Sequence, residues 1–169
     1  FKIFILYKTF YLFNHIIYIM EQQRKKIFLG GTCNGSTWRD KLIPMLHTDV
    51  PYFNPVVEDW TEECQLIEEQ EKWGPCDIHL YVITPDMKGT YSIAELVESA
   101  ICSYEYNKEL QETVAYTIFA VLDESLDTGK SFTKAEIKSF DAIKKLVEKY
   151  NGIICEDLND VANTINAIA

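Results

Sequence analysis

Basic residues are scarce in this chain: 16 Lys and Arg stand against 26 Asp and Glu, for a net charge of −10 over 169 residues. A nucleic-acid polymer is therefore an unsuitable partner, because phosphate backbones are held by clustered Lys and Arg. A small anionic ligand stays open, since one local amide-lined pocket can receive it. Histidine is scarcer still, with His15, His47 and His79 widely scattered. The five cysteines, Cys33, Cys64, Cys76, Cys102 and Cys155, form no CxxC or His-x-Cys pattern. That spacing supports neither a zinc site nor a redox pair, and no cofactor is expected. The thiols read as reduced and mostly buried in a cytoplasmic protein. Neither GxGxxG nor a Walker lysine is present, so dinucleotide and P-loop sites lack their fingerprints.

Long hydrophobic runs are missing as well. Phe1–Ile19 is rich in Phe, Ile, Tyr and Leu, but Lys2, Lys8, Asn14 and His15 interrupt it. It lacks the about 20 consecutive apolar residues of a membrane span. No small-residue cleavage site closes it as a signal peptide would. We read 1–19 as a non-native extension upstream of Met20, or alternatively as a weak amphipathic leader, with no membrane partner. Residues 20–169 then form one domain, without internal repeats or a linker.

What is present is an alternation of strands and helices. Lys26–Gly30 reads as a first strand, and Ser36 or Thr37 can cap a helix through Leu46 that Pro44 weakens. Tyr52–Val57 reads as a second strand, which Pro51 and Pro55 make short or place near an edge. Thr61–Trp73 is a helix dense in carboxylates, which read as a solvated face. Cys76–Thr84 is apolar almost throughout, as suits the centre of a parallel sheet. Ser92–Ser103 carries Ile93, Leu96, Val97, Ala100 and Ile101 at the spacing of one buried helix face. Thr113–Leu122, Thr133–Tyr150, Gly152–Cys155 and Leu158–Ile168 continue the rhythm. Five such strands predict an α/β, three-layer, doubly wound, flavodoxin-like parallel sheet in the order 2-1-3-4-5.

In such a sheet, ligands bind beyond the carboxyl ends of the strands. The segment Asp86-Met87-Lys88-Gly89-Thr90-Tyr91-Ser92-Ile93-Ala94-Glu95 lies there, after the most buried strand. Glu95 is either a catalytic carboxylate or half of a Ser92-x-x-Glu95 capping box, a form that recurs at Thr133-x-x-Glu136. Asp86 either shapes its turn or accepts hydrogen bonds from ligand hydroxyls. Gly89 either relieves the backbone beside a ligand or supplies a positive φ. Gly30, Gly31 and Thr32 could bring backbone amides to a ligand, while Asn34 and Trp38 could contact a base unless Trp38 belongs to the core. Asp59, followed by Trp60, is either a ligand contact or the N-cap of the next helix.

Taken together, Ile27-Phe28-Leu29-Gly30-Gly31, Phe53-Asn54-Pro55-Val56-Val57 with Asp59-Trp60, and Asp86 with Gly89-Thr90 and Glu95-Leu96 resemble the nucleoside 2-deoxyribosyltransferase-like proteins. The chain is most similar to their phage and bacterial branch, over roughly Lys25 to Ile101. The resemblance implies cleavage of an N-glycosidic bond, with Glu95 as the nucleophile at the anomeric carbon. It implies that Asp86 and Asp59 hold sugar hydroxyls or help protonate the departing base. It further implies a small nucleoside or nucleotide as substrate and a homo-oligomeric assembly. Family members often carry glycine two residues after the glutamate, where this chain has Val97.

The chemistry would be that of a retaining glycosidase, through a glycosyl-glutamate ester that water or a second base resolves. Two other expectations share the fold. One is an NAD or nucleoside-monophosphate N-glycosidase, of the TIR or phosphoribohydrolase type. The other is a non-catalytic nucleotide-binding module in which Glu95 only caps its helix.

Overall fold

Apolar runs long enough to be covered on both faces form the middle of the sheet, and shorter ones its edges. The computed structural model describes residues 24–33 and 35–169, so the leader at 1–19 and Asn34 lie outside the described residues. The elements run β1 (Lys26–Gly31), α1 (Trp38–Leu42), β2 (Tyr52–Phe53), α2 (Glu62–Trp73), β3 (Cys76–Ile83), α3 (Tyr91–Leu110), β4 (Tyr116–Val121), α4 (Lys134–Lys149), β5 (Ile153–Cys155) and α5 (Leu158–Ile168). All strand pairs are parallel, in the order β2-β1-β3-β4-β5. The predicted flavodoxin-like α/β fold is the one observed. Among the described residues, no helix is long and apolar enough to cross a membrane.

Alternating side chains of the strands build two cores. Ile27, Leu29, Ile78, Leu80, Val82, Ile118 and Ala120 pack with Trp38 and Leu42 of α1 and Val161 and Ile165 of α5. On the opposite face Phe28, Tyr81, Ile83, Phe119 and Val121 meet Leu96 and Ala100 of α3 and Phe140 and Val147 of α4.

Several boundaries differ from expectation for local reasons. β2 keeps only Tyr52 and Phe53, since the flanking Pro51 and Pro55 cannot donate to a ladder. α1 stops at Leu42, and Pro44 sits in the 3₁₀ turn Ile43–Met45 that follows. Neither Ser36 nor Thr37 caps α1 with its own hydroxyl. Instead the Asp127 carboxylate accepts from the Thr37 amide (2.9 Å) and hydroxyl (2.6 Å). α3 runs about two turns past Ser103, to a left-handed Gln111. There the Asn107 side chain accepts from the Val114 and Ala115 amides, which ends the helix and launches β4. The thiols are less buried than expected: only Cys76 and Cys155 are buried, Cys64 is half-buried, and Cys33 and Cys102 are exposed.

Candidate active site

The carboxyl ends of β1 and β3 open onto a cleft of ≈ 270 Å³, bordered by Gly30 to Cys33, Pro55, Trp60, Glu68, Met87, Gly89, Tyr91, Ser92 and Glu95. Gly31 is required there by backbone geometry. Its φ is +108°, and a Cβ would stand 2.1 Å from the Val82 carbonyl oxygen. Thr32 ties the two strand ends together, its hydroxyl accepting from the Thr84 amide at 2.9 Å. Its carbonyl accepts from Trp38 Nε1 and Arg39 Nη1, both at 2.8 Å.

Glu95 sits on the buried side of α3, at 8 % exposure. Its Oε1 accepts from Lys72 Nζ at 2.8 Å, and Lys72 is itself only 2 % exposed. A buried ammonium needs such a partner, because removing a charge from water costs several kcal/mol. Lys72 Nζ also lies 3.9 Å from Glu98 Oε2 and over the rings of Trp73 and Phe28. The Ser92-x-x-Glu95 capping box is not formed: Thr90 holds the N-cap position, with no side-chain cap. At Thr133 and Glu136 the box is complete. Glu95 is therefore spent on Lys72 and the cleft, and not on the helix end.

α3 turns a polar seam toward the sheet. Glu95, Ser99 and Ser103 recur every fourth residue, one above another on the same face. Below Glu95, Ser99 pairs with the Tyr81 hydroxyl (2.8 Å) and Ser103 with that of Thr117 (3.1 Å). The apolar stripe read from the sequence splits accordingly. Leu96 and Ala100 enter the core, while Ile93, Val97 and Ile101 border an apolar groove of ≈ 1070 Å³ shared with α4. Val97 thus faces that groove and does not shape the Glu95 cleft.

A second carboxyl borders the cleft from α2. Glu68 is half-buried, and burial, aided by the Glu95 charge, pushes its carboxyl up to about 7 against the pull of Lys72 and Arg39. The acidic run of α2 is therefore not uniformly a solvated face. Glu68 and Lys72 were legible as a pair: they are four residues apart on one helix, and Lys72 is the lone cation among its acids.

The remaining expected residues fall in different places. Asp86 is buried and does not border the cleft. Its carboxylate accepts from the hydroxyls of Ser125 and of Thr128 (2.8 Å), which hold it below the usual carboxylate range. It thereby fastens the loop after β4 to the loop after β3. Trp38 is fully buried in the core and offers no face to a ligand, whereas Trp60 is 60 % exposed at the cleft rim. Asp59 is exposed, and the α2 N-cap is Thr61, whose hydroxyl accepts from the Cys64 amide at 3.3 Å. Gly89 borders the cleft without a positive φ, and a Cβ there would meet nothing within 4 Å. Thr90 faces the apolar groove. Among the described residues, no cluster of His, Cys, Asp and Glu could hold a metal ion.

Residues 24–110 match the family model described as nucleoside 2-deoxyribosyltransferase like. The matched span contains every residue that borders the cleft. No protein of curated function and no solved structure matches the chain.

Proposed function

The chain belongs to the nucleoside 2-deoxyribosyltransferase-like family, and from that premise we propose that it cleaves or transfers the N-glycosidic bond of a small nucleoside or nucleotide through a glycosyl-Glu95 ester. The observation that carries this reading is the ionic Glu95 carboxylate in the floor of a cleft with a second, protonatable carboxyl, Glu68, at its wall. A nucleophile must be ionised and an acid must hold its proton at the same pH. Two carboxyls in unlike surroundings divide those roles.

In the proposed cycle Glu95 attacks the anomeric carbon as the bond to the base breaks, through an oxocarbenium-like transition state. Glu68 gives its proton to the departing base. The resemblance implied that Asp86 and Asp59 hold sugar hydroxyls or help protonate the base, but the Asp86 carboxylate accepts two hydroxyl hydrogen bonds away from the cleft. Glu68 is the better-placed acid. Trp60 and Tyr91, aromatic and exposed at the rim, offer faces against which a base can stack. Water resolving the ester completes hydrolysis, and a second base completes transfer.

The test is incubation with deoxynucleosides, nucleoside monophosphates and NAD in parallel, with free base read by chromatography. Base release from a mononucleoside substrate, lost by at least about 10³-fold in Glu95→Ala with folding intact, is the expected result. Full activity in that variant would overturn Glu95 as the nucleophile.

A further inference from the structure

The proposed cycle uses Glu95 and Glu68 but leaves the buried cation between them without a task. Lys72 follows Glu68 by four residues, one helical turn on, so both project from one face of α2. Its Nζ contacts Oε1 of Glu95, and among the described residues Oε2 has no hydrogen-bond partner. Glu95 itself borders the cleft. The C-terminal end of α2 suits a cation, and the two aromatic rings beneath Nζ restrict where it can move.

We propose that Lys72 is a positioning residue with two alternating counter-charges: it presents Oε2 of ionised Glu95 for attack, and it stabilises ionised Glu68 once Glu95 is an uncharged ester. This deepens the glycosyl-Glu95 reading and rests on it. In the first half, an Oε2 lone pair bonds to the anomeric carbon. The carbon–nitrogen electron pair leaves with the base, which takes the Glu68 proton. One negative charge has then passed from Glu95 to Glu68 beside a fixed ammonium. In the second half, water bonds to the anomeric carbon and gives its proton to Glu68. The ester carbon–oxygen pair returns to Glu95, and the ion pair with Lys72 reforms. Charge and protons balance over the cycle.

The surroundings of each acid fit that exchange. Glu68 faces Glu95 from α3, Arg39 from α1, and Lys72 and Glu69 from its own helix. The Glu95 charge opposes ionisation of Glu68, whereas Lys72 and Arg39 favour it. Esterifying Glu95 removes the opposing charge and leaves the favouring ones. Glu95 in turn faces Lys72 and Glu68 from α2, Tyr81 from β3 and Tyr91 from its own helix.

Glu95→Gln carries the charge of the ester state, so the test needs no substrate. Carboxyl-¹³C NMR titration should show the Glu68 midpoint falling by about one pH unit from native to Glu95→Gln. Adding Lys72→Met to Glu95→Gln should send it back up. An unchanged Glu68 midpoint in Glu95→Gln would overturn the proposal. In kinetics, Lys72→Met should move the alkaline limb of kcat/KM, where Glu68 loses its proton, upward, and Lys72→Arg should restore it. A folded Lys72→Met with the native pH profile would also overturn it. Should Lys72→Met not fold, the comparison of native protein with Glu95→Gln decides alone. Mass spectrometry of native protein with deoxynucleosides tests the underlying reading separately. If no sugar adduct ever forms on Glu95, that reading fails whatever the titrations show.

Discussion

Alanine at three cleft glycines should produce three different outcomes, because a new Cβ meets backbone at one, aromatic rings at another and open space at the third. At Gly31 the Cβ would lie 2.1 Å from the Val82 carbonyl oxygen and 2.6 Å from its nitrogen, in a backbone with φ +108°. The strained conformation costs about 1–3 kcal/mol for an L residue. Relieving the clash must also part β1 from β3 and lose the Thr32 amide bond to Val82 (2.9 Å), about 1 kcal/mol more. We expect Gly31→Ala to lose about 2–4 kcal/mol in all, a large share of the roughly 5–15 kcal/mol of a typical domain. Gly30→Ala meets the rings of Tyr81 at 2.7 Å and Phe28 at 2.9 Å, and the Ser99 bond restrains Tyr81. Such overpacking costs about 1–3 kcal/mol. Gly89→Ala meets nothing, and the stiffer unfolded chain can offset any loss by about 0.4–1 kcal/mol. Urea unfolding of the three variants at one pH measures the series directly. Gly31→Ala within about 1 kcal/mol of native, or Gly89→Ala costlier than Gly30→Ala, would refute the packing on which the cleft is built.

Glu68→Gln should lower base release by about 10²–10⁴-fold, the usual span for a lost general acid. It should also remove a native decline in kcat/KM as pH rises through about 7, where the Glu68 proton is lost. The same substitution bears on stability. A carboxyl raised in the folded state keeps more protons than in the unfolded chain between its two midpoints, so folding weakens as pH rises toward 7. Glu68→Gln should therefore raise Tm relative to native at pH 8 but not near pH 4, and equal shifts at both would refute the assignment. Thr133→Ala should cost about 1 kcal/mol in chemical unfolding, as an N-cap does, whereas Ser92→Ala should fall well below it, since Ser92 caps nothing. The homo-oligomer implied by the family is expected to cover the apolar groove between α3 and α4. Val97→Lys should then convert an assembled native species to monomer by light scattering, and a monomeric native protein would refute this.

Why these predictions concentrate on α2 and α3 follows from what one sequence can display. The sheet was legible because its strands are uninterrupted apolar runs separated by short turns, and burial on both faces leaves such runs few alternatives. Helix ends were legible where a side chain closes them locally, as at Thr133 and Asp157. They were not legible where the cap comes from afar, as Asp127 serves Thr37 across 90 residues. The orientation of α3 failed for a related reason. Periodicity ranks faces by apolarity, and the face holding Glu95, Ser99 and Ser103 ranks low. That face is buried because Lys72, the Tyr81 hydroxyl and Thr117 stand opposite, on three separate elements. A polar seam is stable only when each group meets its partner, so its cause lies in the pairing and in no single helix. The cleft acids inherit that property. Glu95 was visible as a position, but its ion pair needs Lys72 from another helix, and the proton-holding capacity of Glu68 comes from burial and from the Glu95 charge. Removing Lys72 or Glu95 should therefore change the titration of Glu68, with coupling among the three beyond the sum of single substitutions. Additive effects in double-variant cycles among Glu68, Lys72 and Glu95 would mean that the three act independently and that the cleft is only a gap between two helices.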